Sequence, residues 1–217
     1  IYTTANTLSL HDALPIYARL EAAGIASRIA GAAAILVDKP VPVERIPGFA
    51  DGLCSIQDLG AQAAAGLLDA QPGMRVLDAC AAPGGKAAHL LERADINLTA
   101  LDADATRAAR IAGNLHRLGL DATLRVADAR EVGAWWDGRA YDRILADVPC
   151  SASGVARRHP DIKWTRRPTD IPSLGRQQGA LADALWALVA PGGKMLYATC
   201  SIFPTENRRQ IDAFLTR

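Results

Sequence analysis

The sequence predicts an α/β fold, a parallel sheet with helices on both faces. Three observations carry this. From about residue 74 onward, short apolar runs alternate with stretches of helical period. The loops between them are short, as parallel strand–helix units require. The strings that bear chemistry fall where the apolar runs end, and open α/β sheets bind ligands at the carboxyl ends of their strands.

Each element follows from local signals. The chain opens with Ile1, and residues 1–16 lack clear periodicity. Leu8-Ser9-Leu10-His11-Asp12-Ala13-Leu14-Pro15-Ile16 resembles a translated sequencing adaptor, so 1–16 is expected to be non-native or a frayed terminus. Residues 17–50 read as a connecting segment. They hold a short helix (Tyr17 to Ala23), a turn at Gly24 and an apolar stretch from Ala32 to Val37. Pro40, Pro42 and Pro47 then break regular structure.

Residues 51–217 are expected to form the main domain. Leu59, Ala63, Leu67 and Leu68 predict a helix over Ser55 to Leu68, closed by Pro72-Gly73. Met74 to Ala79 reads as a strand, Lys86 to Arg93 as a helix and Asn97 to Leu101 as a strand. Asp104 to Leu118 is a helix stopped by Gly119. Strands follow at Ala122 to Ala127 and Arg143 to Val148, with Trp135-Trp136 expected to pack between them. A helix over Ser173 to Val189 should end at Pro191-Gly192-Gly193, before a strand at Lys194 to Thr199 and a helix at Thr205 to Leu215.

Composition narrows the function. The 217 residues are 50% hydrophobic and 22% charged, enough for a real core in one domain plus an appendage. A net charge of +1 gives no global basic field, so any nucleic-acid signal must be local. No apolar run approaches the roughly 18 residues of a membrane span. The four cysteines, at 54, 80, 150 and 200, form no CxxC pair and have no histidine at finger spacing, which argues against a metal site. No secretory signal is visible, and reduced thiols in a cytoplasmic setting are expected.

The turn after the first of these strands, Cys80-Ala81-Ala82-Pro83-Gly84-Gly85-Lys86, lets backbone approach a ligand ahead of a helix amino end. It matches neither the dinucleotide glycine fingerprint nor a phosphate loop. Successive strands end in Asp102, Asp128 and Asp147. Three acids would repel a pyrophosphate but suit an adenosine with a cationic tail, and S-adenosylmethionine fits. Asp102 has a competing reading as a cap for the helix from Asp104, and Asp128 as a turn residue.

Two further strings put cysteines at strand ends, Asp147-Val148-Pro149-Cys150-Ser151 and Ala198-Thr199-Cys200-Ser201. A thiol there is a candidate nucleophile if it ionises, whereas free cysteine is also a common buried small residue. Cys54 has no motif and is expected to be structural. Between the two strings, Arg157 to Arg167 carries five basic side chains against Asp161. Arg157, Arg158, Lys163, Arg166 and Arg167 can hold phosphates; His159 and Trp164 are interleaved, and an aromatic can stack a base.

From about Arg45 onward the chain resembles the Sun/Fmu-type bacterial ribosomal RNA (cytosine-5) methyltransferases. The matching strings are Ser55-Ile56-Gln57-Asp58, Cys80 to Lys86, Asp147 to Ser151, Arg157 to Trp164 and Tyr197 to Ser201. The resemblance implies a Rossmann-like class I S-adenosylmethionine-dependent methyltransferase sheet. It implies that Cys200 attacks carbon 6 of a cytosine, that Cys150 assists release and that Asp147 hydrogen-bonds ring nitrogen 3. It also implies a donor site at Cys80 to Lys86, Asp102, Asp128 and Asp147.

The family's amino-terminal RNA-binding domain and closing strand hairpin have no counterpart in the sequence, which therefore reads as a catalytic fragment. The rivals are a non-catalytic RNA-binding module and a methyltransferase acting on DNA cytosine, on protein or on another RNA such as tRNA.

Overall fold

A computed structural model of the chain describes residues 7–9, 13–31 and 33–217. Its smaller sheet is antiparallel and contains β1 (Thr7–Ser9), β2 (Ser27–Gly31), β3 (Ala34–Val37) and β4 (Ser55–Ile56), in the order β2-β3-β1-β4. Helix α1 (Ala13–Ala22) covers it, and Ile16, Leu20, Ile35 and Ile46 meet in a common core. Of residues 1–16, therefore, the described part is not a frayed terminus: Thr7–Ser9 pairs with both β3 and β4, and Ile16 is buried. Ala32, at the head of the expected apolar stretch, lies outside the described residues.

The larger sheet is parallel throughout. It is built from β5 (Arg75–Ala79), β6 (Asn97–Asp102), β7 (Thr123–Val126), β8 (Tyr141–Asp147) and β9 (Val189–Ala198), in the order β7-β6-β5-β8-β9. Helices α2 (Leu59–Leu68), α3 (Gly85–Arg93) and α4 (Ala105–Leu118) precede the short α5 (Ile162–Thr165), then α6 (Asp170–Trp186) and α7 (Arg208–Leu215). Chain order reverses between β5 and β8, so the carboxyl ends of those two strands frame the crevice where ligands bind such sheets.

The predicted periods hold because each apolar stripe is buried. Ala87, Ala88 and Leu90 of α3 and Ile111 and Leu115 of α4 close one face, while Leu181 and Leu185 of α6 close the other. Leu77, Leu101 and Ile144 have no exposed surface, and each such side chain contributes about 1.5–3 kcal/mol. Trp135 and Trp136 pack on this second cluster, as expected. No further strand hairpin is present among the described residues.

Several boundaries move for identifiable reasons. Ser55-Ile56 is not the start of a helix: it pairs with β1, and Asp58 caps α2 by accepting from the Gly60 N–H at 3.0 Å. Helix α6 begins and ends about one turn earlier than expected, with Pro172 tolerated in its first turn. Val189 then belongs to β9, opposite Tyr141. Pro191-Gly192-Gly193 does not stop the helix; it forms an irregularity inside β9, where register shifts between Tyr141 and Arg143. The last helix is split into a 3-10 turn over Pro204–Glu206 and α7.

Arg117 of α4 fastens the small sheet to the large one. Its guanidinium lies 4.0 Å from the Phe49 ring centroid and donates to the Phe49 and Cys54 carbonyls. Gly52 makes the approach possible: at φ +74, a Cβ there would stand 2.1 Å from the Arg117 carbonyl oxygen.

Candidate active site

The predicted donor loop leaves β5 through Cys80, which takes a left-handed backbone at φ 62, and enters α3 at Gly84-Gly85. The loop is tied to the next strand by Asp102. One oxygen of its buried carboxylate accepts from the Ala82 N–H at 3.1 Å and from Arg107 Nη2 at 2.9 Å. The other accepts from the Asp104 N–H at 3.1 Å. The helix cap is Asp104, whose Oδ1 takes the Arg107 N–H at 2.8 Å. A carboxylate has about four lone-pair sites, so Asp102 retains one for a ligand hydroxyl.

Asp128 is gripped by the Arg130 side chain, which holds its carboxyl below the usual range. It lines a small cavity with Cys80, Leu101, Asp102 and Pro149. Asp147, at the end of β8, pairs with Lys86 Nζ at 2.7 Å. Burial first, then the surrounding carboxylates of Asp102, Asp78 and Asp147, push the Cys80 thiol up to about 12, away from ionisation. Cys54 behaves as structural, buried and raised to about 11.

The residue that sequence reasoning missed on this side is Asp78. It has no exposed surface, and neither carboxylate oxygen has a hydrogen-bond partner. Burial, then the charge of Asp147, pushes it up to about 8. An orphaned acid behind Lys86, Asp102 and Asp147 is what a cationic, hydroxyl-bearing ligand would satisfy. The residues present thus fit S-adenosylmethionine. The available signal was an acid two residues before Cys80 in an otherwise apolar strand.

On the other side, the two cysteine strings meet. Cys150 Sγ and Cys200 Sγ lie 3.3 Å apart. Cys200 and Asp147 both line a cavity of about 540 Å³, bounded also by Thr199, Asp58 and Arg158. The Cys200 thiol, donating to Cys150, holds Cys150 down to about 7 against the burial that would raise it. That same hydrogen bond, then burial and the charges of Cys150 and Asp147, pushes Cys200 far up, with Lys86 opposing. The pair therefore gives up its first proton readily and holds its second.

The loops that carry the thiols are cross-linked. The Gly154 N–H donates to the Cys200 carbonyl at 2.9 Å, an approach that a Cβ at Gly154 would obstruct at 2.7 Å. Thr199 Oγ1 donates to Asn207 Oδ1 at 2.7 Å. Buried Glu206 bonds both loops and was also missed, because an acid just after a proline reads as an ordinary helix-start residue.

The predicted RNA-facing segment splits. Arg158 is committed to Asp58 at 2.6 Å, and Arg166 Nε donates to the Ser151 carbonyl at 2.9 Å, which tethers the segment to the Cys150 loop. Arg157, His159, Lys163 and Arg167 are exposed, and Trp164 is 87% exposed. Among the described residues, no group of ligands suits a metal ion and no helix is long and apolar enough to cross a membrane.

A family model described as 16S rRNA methyltransferase RsmB/F matches residues 65–217. Ribosomal RNA small subunit methyltransferase B of Pseudomonas syringae pv. tomato is 55% identical over 185 residues, 84% of this chain and 41% of that protein. Its namesake in Vibrio cholerae is 49% identical over 210 residues, 95% of this chain and 48% of that one. The chain thus spans less than half the length of these curated relatives.

A methyltransferase homologue from Pyrococcus horikoshii superposes with a TM-score of 0.81 at 28% identity, covering 97% of this chain and 69% of that one. NSun6 from the same organism, solved with the S-adenosylmethionine analogue SFG, gives 0.73 at 29% identity, covering 85% and 48%. Sheet, donor loop and thiol pair lie within a region that aligns with these proteins, and the chain belongs to the S-adenosylmethionine-dependent RsmB/F family of 16S rRNA methyltransferases.

Proposed function

We propose that the chain is the catalytic part of an RNA (cytosine-5) methyltransferase acting on small-subunit ribosomal RNA. In this reading residues 51–217 form the catalytic domain, residues 17–50 are part of a preceding RNA-binding unit, and the protein works in the cytoplasm. The observation that carries the reading is the 3.3 Å contact between Cys150 and Cys200 beside Asp147. Two hydrogen-bonded thiols of which one ionises readily, next to an acid that bridges to the donor loop, suit covalent activation of a pyrimidine.

Carbon 5 of cytosine is a poor nucleophile while the ring is intact. Cys200 Sγ bonds to carbon 6 as its proton passes to the Cys150 thiolate. The electron pair of the 5,6 double bond moves into the ring, and Asp147 hydrogen-bonds nitrogen 3 to stabilise the adduct. Asp78, Lys86, Asp102, Asp128 and the loop Cys80 to Gly85 hold S-adenosylmethionine, which supplies the methyl group to carbon 5. The carbon 5 proton then passes to water, its electron pair re-forms the 5,6 double bond and Cys200 leaves as a thiolate, with Cys150 assisting that elimination. The base must be unstacked to reach this depth; the exposed Arg157, His159, Lys163, Trp164 and Arg167 hold the flanking strand, while Arg158 and Arg166 brace that segment through Asp58 and the Ser151 carbonyl.

Bisulfite mapping of ribosomal RNA from cells with and without the full-length parent tests this. One small-subunit cytosine should lose protection when the parent is absent. An unchanged small-subunit pattern, or a change confined to tRNA, would sink the assignment.

A further inference from the structure

Glu206 is as buried as any residue in the molecule, yet it lies outside the strings that identify the site. One carboxylate oxygen accepts from the Ser151 N–H at 2.8 Å and from Gln178 Nε2 at 3.0 Å. The other accepts from Ser151 Oγ at 2.6 Å and from Ser201 Oγ at 2.5 Å. Ser151 follows Cys150 in the chain, and Ser201 follows Cys200. A single carboxylate therefore grips the residue after each thiol and anchors both to α6 through Gln178.

We propose that Glu206 is a positioning residue that sets the distance between the two cysteine sulfurs. All four of these hydrogen bonds come from neutral donors, so Glu206 works as a hub of charge-assisted bonds rather than as half of an ion pair. Burial alone would make it a weaker acid, but the bonds from Ser151, Ser201 and Gln178 hold it in its charged, fully accepting form. Its charge opposes ionisation of Cys150, so it does not serve to activate that thiol. What it offers is geometry. The two loops leave neighbouring paired strands at Asp147 and Ala198 and are also joined by the Gly154 N–H to the Cys200 carbonyl and by the hydroxyls of Ser151 and Ser153 to Ser201 and Ile202; Glu206 adds the one charged acceptor that bonds the residue after each thiol.

The inference rests on reading Cys150 and Cys200 as a working pair, but its test needs neither RNA nor methyl donor. Phenylarsine oxide bridges two adjacent thiols: two arsenic–sulfur bonds form, and the oxide oxygen leaves as water with both thiol protons. The wild-type chain should chelate it tightly, with Cys150→Ser as the single-thiol baseline. Glu206→Ala, shown to be folded by its melting curve, should bind at least about tenfold more weakly, the scale of losing a charged hydrogen bond. Glu206→Gln should recover most of the affinity, because its amide can accept from the Ser151 N–H and donate to both hydroxyls. If Glu206→Ala does not fold, Ser201→Ala decides, with an expected loss of several-fold. Wild-type chelation by folded Glu206→Ala, or in its place by Ser201→Ala, would overturn the proposal. This chelation pattern together with an unchanged bisulfite map in cells lacking the full-length parent would overturn the cytosine-5 reading and leave the positioning role standing.

Discussion

Two acids without exposed surface, Asp78 in β5 and Glu206 beside the cysteine loops, are treated in opposite ways. Asp78, on the donor side, has no partner for either oxygen, whereas Glu206, on the cysteine side, accepts four hydrogen bonds. An unsatisfied buried polar group costs about 1–3 kcal/mol, more when charged, so the donor side is held in an unfavourable state that a ligand can relieve. The cysteine side has no such deficit. One acid is left unpaired and the other is saturated, which is the contrast the proposed roles of binding and positioning rest on.

The largest contrast should come from Cys200. Cys200→Ser should lose methyl transfer by several orders of magnitude while calorimetric donor affinity stays at the wild-type value. Retained turnover would remove the nucleophile from the cysteine side altogether. Cys150→Ala comes next: turnover should fall, and a protein–RNA species that survives denaturant should build up on gels. If adducts instead require Cys150 and form without Cys200, the two roles are exchanged.

Asp78→Asn tests the donor side and should act in two directions. Donor affinity should fall by about 10- to 100-fold, the loss of a charged contact. Stability without donor should rise, and the sign follows from linkage. The Asp78 acid is raised from 3.8 to about 8 by burial and by Asp147. Below pH 3.8 it is protonated folded or unfolded; between the two values only the folded state keeps the proton. The wild-type chain thus loses stability as pH climbs through that window, and the loss is complete above 8. Melting curves should therefore favour Asp78→Asn by a few degrees at pH 9, with the advantage vanishing near pH 4. An advantage that does not change with pH would mean the carboxyl is ionised at all these values.

The smallest effects separate binding from bracing in the basic segment. Each of Arg157, Lys163 and Arg167 should flatten the salt dependence of RNA binding by about 0.7 in log–log slope when neutralised. Arg158→Ala should leave the slope unchanged and lower stability, because its charge is already committed to Asp58. Equal slopes for all four would mean that the Arg158–Asp58 pair opens on binding.

Most of the fold was legible in the residues because its signals are local. A helical period, a capping aspartate or a glycine at a helix end is written in consecutive positions, as α4 between Asp104 and Gly119 illustrates. The donor loop and both cysteine strings are equally contiguous. Where a local signal had two readings, tertiary pairing chose between them: Pro191-Gly192-Gly193 looks like a helix stop but interrupts β9, and Ser55-Ile56 looks like helix but is recruited by β1.

The contacts that give the site its chemistry were not legible. That Asp78 is orphaned, that Glu206 is saturated and that two sulfurs fifty residues apart touch are all facts about segments that meet only after folding. Ser151, Gln178 and Ser201 carry no mark of a shared partner, since hydrogen-bond satisfaction depends on where donors end up rather than on which neighbours they have in the chain. Residue type and spacing could name a thiol and a donor loop. Only packing could decide which acid is left unpaired and which is fully paired, because that distinction lies in the surroundings of two otherwise similar carboxylates.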